Sequence, residues 1–327
     1  ITRLLDDIGQ NGVEIRYNTR FTDLDSRDDG SIARIHTTGD AIENPGALFL
    51  ASGHSSRETY ALLRKRDIAM ETKEYAVGVR VEHSAETINR IQYGGDYKRQ
   101  YAGIETAQYK LAYTYKNPST GLRTGRGIYS FCMCPGGYVL NASTGTNGVV
   151  TNGMSNYLKS GRFSNAAVVA NITVDDLERE GFSGVDAGLE FQKDLEEKFR
   201  AAVNKQGRSN VVPGQRLWDF LQGKKSKKLG DTSCLNPVAS APIHELFPEF
   251  VYDALRKGFG NFDHKMRGFT SSREAQVFGA ETRTSSPYRI LRDDESLVSP
   301  SCTGLYPVGE GAGFAGGITS AAVDGIR

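Results

Sequence analysis

The stretch GLYPVGEGAGFAGGITSAAVDGIR, residues 304–327, combines three local signals in one short segment. Its apolar start, Leu305, Tyr306 and Val308, predicts a short buried strand. A glycine-rich turn between Gly309 and Gly317 follows, and the apolar spacing of ITSAAVDGIR predicts a helix. A strand, a glycine-rich turn and a helix N-terminus together present backbone N–H groups to an anion or to an electron-rich ring edge.

Three glycines of this turn, Gly311, Gly313 and Gly316, match the dinucleotide fingerprint G-x-G-x-x-G. That fingerprint requires a complete strand–helix–strand unit, with an acidic residue about 20 positions further on to hold the ribose. Here the sequence stops at Arg327, within the predicted helix. The stretch therefore predicts the closing half of a nucleotide-binding domain rather than its opening half.

Length and composition suit a soluble globular protein of two domains, because 327 residues can form two cores and 24% of them are charged. A net charge of +1 gives no bulk argument for a nucleic-acid partner, and no apolar run approaches the roughly 18 residues of a membrane span. Both ends look cut, so the missing signal peptide tells little about export. Four cysteines are too few for a disulfide framework and indicate a reducing, cytoplasmic compartment: Cys132, Cys134, Cys234 and Cys302.

The beginning of the chain alternates between short helices and strands. The last strand runs directly into Ser52-Gly53-His54, where a glycine lets the backbone pass close to a bulky group. Apolar periodicity and turn residues predict helices at 1–9 and 57–66 and strands at 13–17, 21–24, 32–37 and 47–51.

The middle of the chain, from about residue 92 to 268, is rich in Tyr, Asn, Ser and Gly and lacks regular strand–helix alternation. We therefore expect a discontinuous domain formed by residues 1–75 and 276–327, and an inserted α+β domain formed by residues 76–275. The patterns predict strands at 75–82, 109–115, 126–134, 138–142 and 166–174, helices at 86–91, 187–203 and 249–257, and a polar loop at 206–231.

Five segments follow one another in a recognisable order: ALFLASGHSSRETY, YAVGVRVEH, YSFCMCPGG, FGAETRTSSP and GLYPVGEGAGFAGGITSAAVDGI. In these segments the chain resembles an uncharacterised family of FAD-dependent dehydrogenases, in the group of flavoproteins that includes glutathione reductase. The resemblance implies an α/β fold, with a FAD/NAD(P)-binding Rossmann-like domain assembled from separated pieces around an inserted substrate domain. It also implies a strand–G-x-G-x-x-G–helix unit before Ile1, so the Rossmann-like domain is expected to be incomplete here.

The resemblance further implies that the terminal turn binds FAD. Backbone N–H groups from Phe314 to Gly317 would stabilise the negative charge of a reduced flavin around N1 and the C2 carbonyl. Glu310, where related flavoproteins more often have Asp, would accept hydrogen bonds from ribityl hydroxyls. The alternative is a tight packing turn in a generic α/β sheet. The expected cofactor-binding residues are Ala51, Ser52, Gly53, Gly309, Glu310, Gly311, Gly313, Phe314, Ala315, Gly316, Gly317 and Ile318.

The motif Cys132-Met133-Cys134-Pro-Gly-Gly predicts a bent, exposed turn after an apolar strand. Two positions apart on a strand, both thiols would point to the same face. One interpretation is a catalytic thiol presented to the flavin; the other is two small, semi-apolar residues at a strand end. The spacing is not C-x-x-C, and no second cysteine pair has metal-ligand spacing, so we expect no metal site.

Two further residues are candidates for catalysis. His54 can titrate near neutrality and act as an acid or base, or it can simply lie in the N-cap region of the following helix. Arg283 has the planar fork that would orient a substrate carboxylate or the flavin pyrimidine edge, or it can belong to a solvated, salt-bridging loop.

Together these patterns predict a FAD-dependent oxidoreductase that transfers a hydride through flavin N5 to or from a small substrate. NAD(P)H is a possible electron donor, although no second nicotinamide-binding fingerprint is present. A cofactor-free binding or assembly module on a flavoprotein fold is the alternative. A tRNA-modifying flavoprotein is a further alternative, because the basic run at residues 224–228 could bind phosphates. Such runs are usually solvated surface, so no nucleic-acid or membrane partner is expected.

Overall fold

The chain forms two compact units in a computed structural model that describes residues 2–101, 103–116, 123–144, 148–204 and 210–327. The first unit combines Ile1–Glu71 with Arg289–Arg327, and the second is Thr72–Tyr288. The predicted mixed α/β class is confirmed. The predicted discontinuous domain, 1–75 and 276–327, extends four and thirteen residues into the second unit, and the roles of the two domains stay predictions.

The first unit contains an antiparallel meander in the order β1-β2-β3 and a parallel strand pair, β4 with β16. Its elements are α1 (Thr2–Gln10), β1 (Phe21–Ser26), β2 (Ile32–Thr37), β3 (Ala41–Glu43), β4 (Leu48–Leu50), α2 (Arg57–Lys65), β16 (Leu305–Pro307) and α10 (Ile318–Ile326). The chain passes between the units at β5 (Met70–Thr72) and β15 (Tyr288–Ile290).

The parallel pair of β4 and β16 positions the terminal turn. Leu305 lies opposite Leu48 and Pro307 opposite Leu50 in the register. Leu305 and Leu50 are buried, so the pair is held by burial of one face as well as by backbone hydrogen bonds. Because the strands are parallel, the segments that follow them leave from the same edge of the sheet.

The second unit is built on a large sheet whose described strands run β13-β12-β14-β6-β11-β8-β7, beside the hairpin β9–β10. Its strands are β6 (Tyr75–Ser84), β7 (Ala112–Lys116), β8 (Arg123–Cys134), β9 (Gly137–Asn141), β10 (Thr151–Ser155), β11 (Phe163–Ile172), β12 (Val212–Arg216), β13 (Val238–Ser240) and β14 (Gln276–Glu281). Its helices are α3 (Ala85–Tyr93), α4 (Tyr97–Gln100), α5 (Val174–Arg179), α6 (Ala187–Val203), α7 (Leu217–Leu221), α8 (Ile243–Leu246) and α9 (Glu249–Lys265).

The central strands β6 and β11 are buried along almost their whole length, polar residues included, because both faces of the sheet are covered. They pair antiparallel over ten residues, from Tyr75 opposite Ile172 to Ser84 opposite Phe163. Helices α6 and α9 bury Phe199 and Phe259 in the core that includes these strands. The sheet is therefore a rigid support for the polar side chains that it carries.

Two predicted elements are wrong. Residues 13–17 do not form a strand: Val13 and Tyr17 are exposed, and no described strand supplies the hydrogen-bond partners that a strand requires. The predicted loop at 206–231 contains β12 and α7, whose residues Val212, Leu217 and Phe220 are buried. Charged residues nearby in the sequence obscure the apolar pattern that would have predicted these elements. Residues 206–209 of that prediction lie outside the described part of the chain.

One buried histidine of this sheet makes the stability of the second unit depend on pH. The side chain of His83 on β6 is enclosed, with Nε2 2.7 Å from the carbonyl oxygen of Phe269. Its Nδ1 has no hydrogen-bond partner among the described residues. Burial holds the pKa of His83 at about 4, although the bond to Phe269 and the charge of Glu274 oppose this effect. Protonation therefore favours the unfolded chain between pH 6.5 and the folded pKa.

We expect the second unit to lose about 2 kcal/mol of stability between pH 7 and pH 5, because the unfolded histidine binds a proton that the folded one does not. Urea unfolding followed by the fluorescence of Trp218, the single tryptophan, measures this loss. His83→Gln should abolish most of the pH dependence, whereas His264→Gln, at an exposed position, should retain it. Equal pH dependence in His83→Gln and in the unchanged chain would contradict the assignment.

Candidate functional site

The two segments that follow β4 and β16 are in direct backbone contact. A Cβ atom on Gly311 would lie 2.5 Å from the carbonyl oxygen and 2.8 Å from the nitrogen of Gly53. Real Cβ atoms do not approach backbone atoms so closely, so only glycine fits at position 311. Gly53 itself adopts a left-handed conformation with φ of 73°. The structure thus brings together two segments that the sequence analysis expects to border a cofactor.

The terminal turn is held in one conformation by its own hydrogen bonds. Gly309 and Gly313 have positive φ, and the N–H groups of Gly313 and Phe314 donate to the carbonyls of Glu310 and Gly309. The hydroxyl of Tyr60 on α2 donates to the carbonyl of Gly311 at 2.9 Å. The turn is therefore preorganised, which reduces the entropy that a ligand loses on ordering it.

His54 and Glu310, for which we predict separate roles, lie side by side. The distance from His54 Nδ1 to Glu310 Oε1 is 3.1 Å, and about a quarter of each side chain is exposed. A carboxylate beside an imidazole can orient the ring and select its tautomer. The pair places an imidazole and a carboxylate beside the terminal turn.

An arginine that the sequence analysis missed joins the strand, the turn and the helix of this unit. Arg292 forms a two-point ion pair with Asp324 of α10, at 2.5 and 3.1 Å, and donates to the carbonyl of Pro307 at 2.7 Å. Its guanidinium lies 3.7 Å from the ring centroid of Phe314. The hydrogen bonds and charge of Arg292 lower the pKa of Asp324, which also accepts from the N–H of Gly309. These contacts hold the C-terminal part of α10 against the first residues of the turn.

The open side of the terminal turn borders a hollow of about 690 Å³. This volume is within the range of about 300–1,000 Å³ that small-molecule sites occupy. The first N–H groups of α10 have no partner within the helix, and a Cβ on Gly316 or Gly317 would meet no described atom within 4 Å. The exposed start of α10 and the two glycines before it therefore border an open hollow of the size of a small-molecule site. Residues lining the hollow include Phe314, Gly317, Ile318, Thr319, Ser320 and Arg327.

The second unit holds a buried polar cluster around Arg80 of β6. Its guanidinium donates to both carboxylate oxygens of Glu281, at 3.0 and 2.7 Å, and to Asn165 Oδ1 at 2.9 Å. Arg80 is fully buried and the side chain of Glu281 is 7% exposed. Burial lowers the pKa of Arg80, but the charge and hydrogen bonds of Glu281 outweigh it and keep the arginine charged. A charged residue within the apolar run YAVGVRVEH is the sequence signal that could have revealed this pair.

The two predicted thiols lie against this cluster. Cys134 is buried, Cys132 is exposed, and Cys134 Sγ is 3.4 Å from the carbonyl oxygen of Cys132. Arg80 Nη1 donates to the same carbonyl at 3.3 Å. The structure thus brings Cys132 and Cys134 together at one polar point of the sheet.

Arg283 belongs to a different ion pair. It donates to both carboxylate oxygens of Glu196 on α6, each at 3.0 Å, and to Thr144 Oγ1 at 3.0 Å. The side chains of Arg283 and Glu196 are 7% and 3% exposed. This ion pair holds α6 against the loop that follows β14, so the alternative of a salt-bridging loop applies in part: the loop is salt-bridged but buried rather than solvated. Contact of Arg283 with a substrate or flavin stays a prediction.

Other surface features add no further site. The lysines of the run at 224–228 are exposed around a buried Ser226, which donates to Asp219. Within the described ranges, no group of His, Cys, Asp and Glu side chains is arranged to hold a metal ion. None of the described helices combines the length and apolarity that a bilayer crossing needs.

Comparison with known proteins connects these features to a family. The model of a family described as "FAD-dependent protein, C-terminal domain-like" matches residues 74–284. An uncharacterised protein of Clostridium beijerinckii is 38% identical over 329 residues, which cover 100% of this chain and 58% of that protein. The chain therefore spans little more than half the length of this relative. Since the family model covers more than half of the chain, the chain belongs to the family described as "FAD-dependent protein, C-terminal domain-like".

Proposed function

We propose that this chain is part of a FAD-dependent oxidoreductase in which the first unit is an incomplete Rossmann-like domain that binds the flavin. The observation that carries the proposal is the backbone contact of Gly311 with Gly53 at the ends of neighbouring parallel strands, beside the hollow at α10. Ligands of open α/β sheets bind at the carboxyl ends of the strands. Membership of a FAD-dependent family supports flavin as the ligand.

The residues of the turn have distinct proposed roles. The N–H groups from Ala315 to Ile318, at the positive end of α10, would lie at the electron-rich edge of the ring. Glu310 would accept hydrogen bonds from ribityl hydroxyls, and His54 would hold Glu310 in place or exchange a proton with substrate. Gly53 and Gly311 would let the two backbone segments pack together beside the flavin. Bound FAD would supply hydride transfer at N5, with NAD(P)H as the proposed donor and a small molecule as the substrate.

Flavin binding by the purified chain tests this proposal. Titration with FAD, followed by quenching of flavin fluorescence and by the visible flavin band, should give saturable binding. Riboflavin in place of FAD is the control for recognition of the nucleotide half. A chain that binds neither would support the cofactor-free assembly module instead.

Glu310→Gln is expected to weaken FAD binding roughly tenfold, because a charged acceptor of hydroxyl hydrogen bonds becomes a neutral one. Glu14→Gln, at an exposed position in the same unit, is the matched control and should bind FAD as the unchanged chain does. Equal FAD affinities for the two variants would show that Glu310 is not part of the FAD site.

A further inference from the structure

The cysteine pair of the second unit lies on a distortion of β8. Phe131 pairs with Ala167 and Cys134 pairs with Asn165, so two residues of β8, Cys132 and Met133, oppose a single residue of β11. This arrangement is a β-bulge, and such bulges often redirect a side chain near a functional site. Cys132 has φ of 46°, a left-handed conformation that a residue with a side chain rarely adopts.

The bulge makes the two thiols unequal. Cys132 is exposed, whereas Cys134 is buried and packs against the cluster around Arg80: a Cβ on Gly153 would lie 3.0 Å from Cys134 Sγ and 2.4 Å from Arg80 Nη1. An accessible sulfur is therefore adjacent to a protected one. This is the arrangement that thiol–disulfide exchange requires of an attacking and a resolving cysteine.

The surrounding charges favour a thiolate at Cys132. A hydrogen bond from Cys134 and the positive charge of Arg80 lower the pKa of Cys132 to about 6, although burial and the charge of Glu281 oppose them. The pKa of Cys134 is raised, first because it donates to Cys132 and second because it is buried. A thiol whose pKa is lowered in this way is ionised at pH 7 to a larger extent than an ordinary cysteine.

The other two cysteines of the chain lack these features. Burial raises the pKa of Cys234 to about 11, and it also raises the pKa of Cys302. Neither sulfur has a second cysteine as a neighbour in its described surroundings. The reactive arrangement thus belongs to the pair on the bulge, and Cys234 and Cys302 provide internal controls.

We propose that Cys132 and Cys134 form a redox-active dithiol that reduces a low-molecular-weight disulfide. The Cys132 sulfur attacks one sulfur of the disulfide, a mixed disulfide forms, and the first thiolate leaves and is protonated by water. Cys134 then loses its proton to water and attacks the Cys132 sulfur, and the second thiolate leaves and is protonated by water. Two electrons pass from the pair to the small disulfide, and the protein retains a Cys132–Cys134 disulfide.

The same contacts explain why the second step follows the first. In the mixed disulfide Cys132 no longer carries a negative charge, so it neither accepts the Cys134 proton nor repels a second thiolate. Burial still raises the pKa of Cys134, but the positive charge of Arg80 remains beside this thiol and lowers its pKa. Attack at Cys132 therefore activates the resolving thiol. This chemistry goes beyond the proposed flavin reaction and needs no flavin.

The test is reaction of the fully reduced, flavin-free chain with excess oxidised glutathione at pH 7, followed by intact mass and peptide mapping. The unchanged chain should release two glutathione molecules and hold an internal disulfide between Cys132 and Cys134. Cys134→Ser should accumulate glutathione on Cys132. Cys132→Ser should react at least about tenfold more slowly, because the ionised attacking sulfur is lost. Cys234→Ser is the matched control and should behave as the unchanged chain does.

Two outcomes would overturn the proposal: stable glutathione on Cys132 of the unchanged chain, or equal reaction rates for Cys132→Ser and Cys234→Ser. Trp218 fluorescence of each variant, which reports the second unit, shows that the fold of that unit is intact. If a variant does not fold, the product formed by the unchanged chain alone decides. Because no flavin is present, failure here leaves the FAD titration unaffected, and failure of that titration leaves this result unaffected.

Discussion

Arg80→Met is expected to destabilise the second unit by about 3–5 kcal/mol, because it leaves the carboxylate of Glu281 buried without its counter-charge. Three of the hydrogen bonds of Arg80 go to Glu281 and Asn165, so the loss affects three strands at once. Urea unfolding followed by Trp218 fluorescence measures the effect in this unit. The same variant should raise the pH at which iodoacetamide modifies Cys132 to half its maximal rate, because Arg80 contributes to the low pKa of that thiol.

The control for this prediction is Arg162→Met in the same unit. The ion pair of Arg162 with Asp231 has a similar distance, 2.9 Å, but its side chains are 70% and 74% exposed. Water and salt already screen such a pair, so the expected loss is below about 1 kcal/mol. Adding Glu281→Gln to Arg80→Met should recover part of the stability, because the unpaired charge disappears. Similar losses of stability for the two arginine variants would show that burial of the Arg80–Glu281 pair does not determine the effect.

Gly311→Ala is expected to destabilise the first unit by about 3 kcal/mol, the upper end of the usual cost of overpacking. The added Cβ would meet three backbone atoms of Gly53, at 2.5 to 2.8 Å, and backbone cannot rotate away as a flexible side chain does. Alkylation of Cys302 in increasing urea reports this unit alone, because the other three cysteines belong to the second unit. We also expect at least tenfold weaker FAD binding, since 1.4 kcal/mol of lost fit is already tenfold.

Gly46→Ala is the matched control in the first unit. A Cβ on Gly46 would meet no atom of the described chain within 4 Å, so Cys302 protection and FAD binding should stay unchanged. A Gly311→Ala chain that is stable but does not retain FAD would separate cofactor contact from packing. If Gly311→Ala matched Gly46→Ala in both measurements, the contact with Gly53 would not be the feature that determines the site.

Long elements with a strong apolar pattern were predictable from the sequence. Helix α6 occupies the predicted residues 187–203, and β2 the predicted residues 32–37. Helix α9 begins at the predicted residue but continues to Lys265, because its buried face, including Phe259 and Phe262, extends beyond the predicted end. Short elements were less predictable. Val13–Tyr17 has strand-like side chains, but a strand needs a neighbour, and local sequence does not report whether one is available.

In the candidate site, too, local features were predictable from the sequence and long-range contacts were not. The glycine spacing of the terminal turn, the thiol pair and the residues next to β4 are local features, so the sequence indicated them as candidates. The bulge at Cys132 depends on pairing with β11. It gives the two thiols different surroundings, whereas a regular strand would point both of them to the same face. The partners of the buried charges were not indicated: Glu281 is 201 residues from Arg80, and Arg292 lies 32 residues from Asp324.

By itself, the sequence determined where apolar periodicity builds strands and helices, where glycine permits a tight turn, and which side chains have reactive groups. Those properties depend on neighbours within a few residues along the chain. Only the tertiary structure decided that Gly311 contacts Gly53, that His54 meets Glu310, and that Arg80 lies behind an exposed thiol. These contacts join residues distant in sequence, and their energies depend on burial and on the pairing of charges, which exist only after the chain has folded.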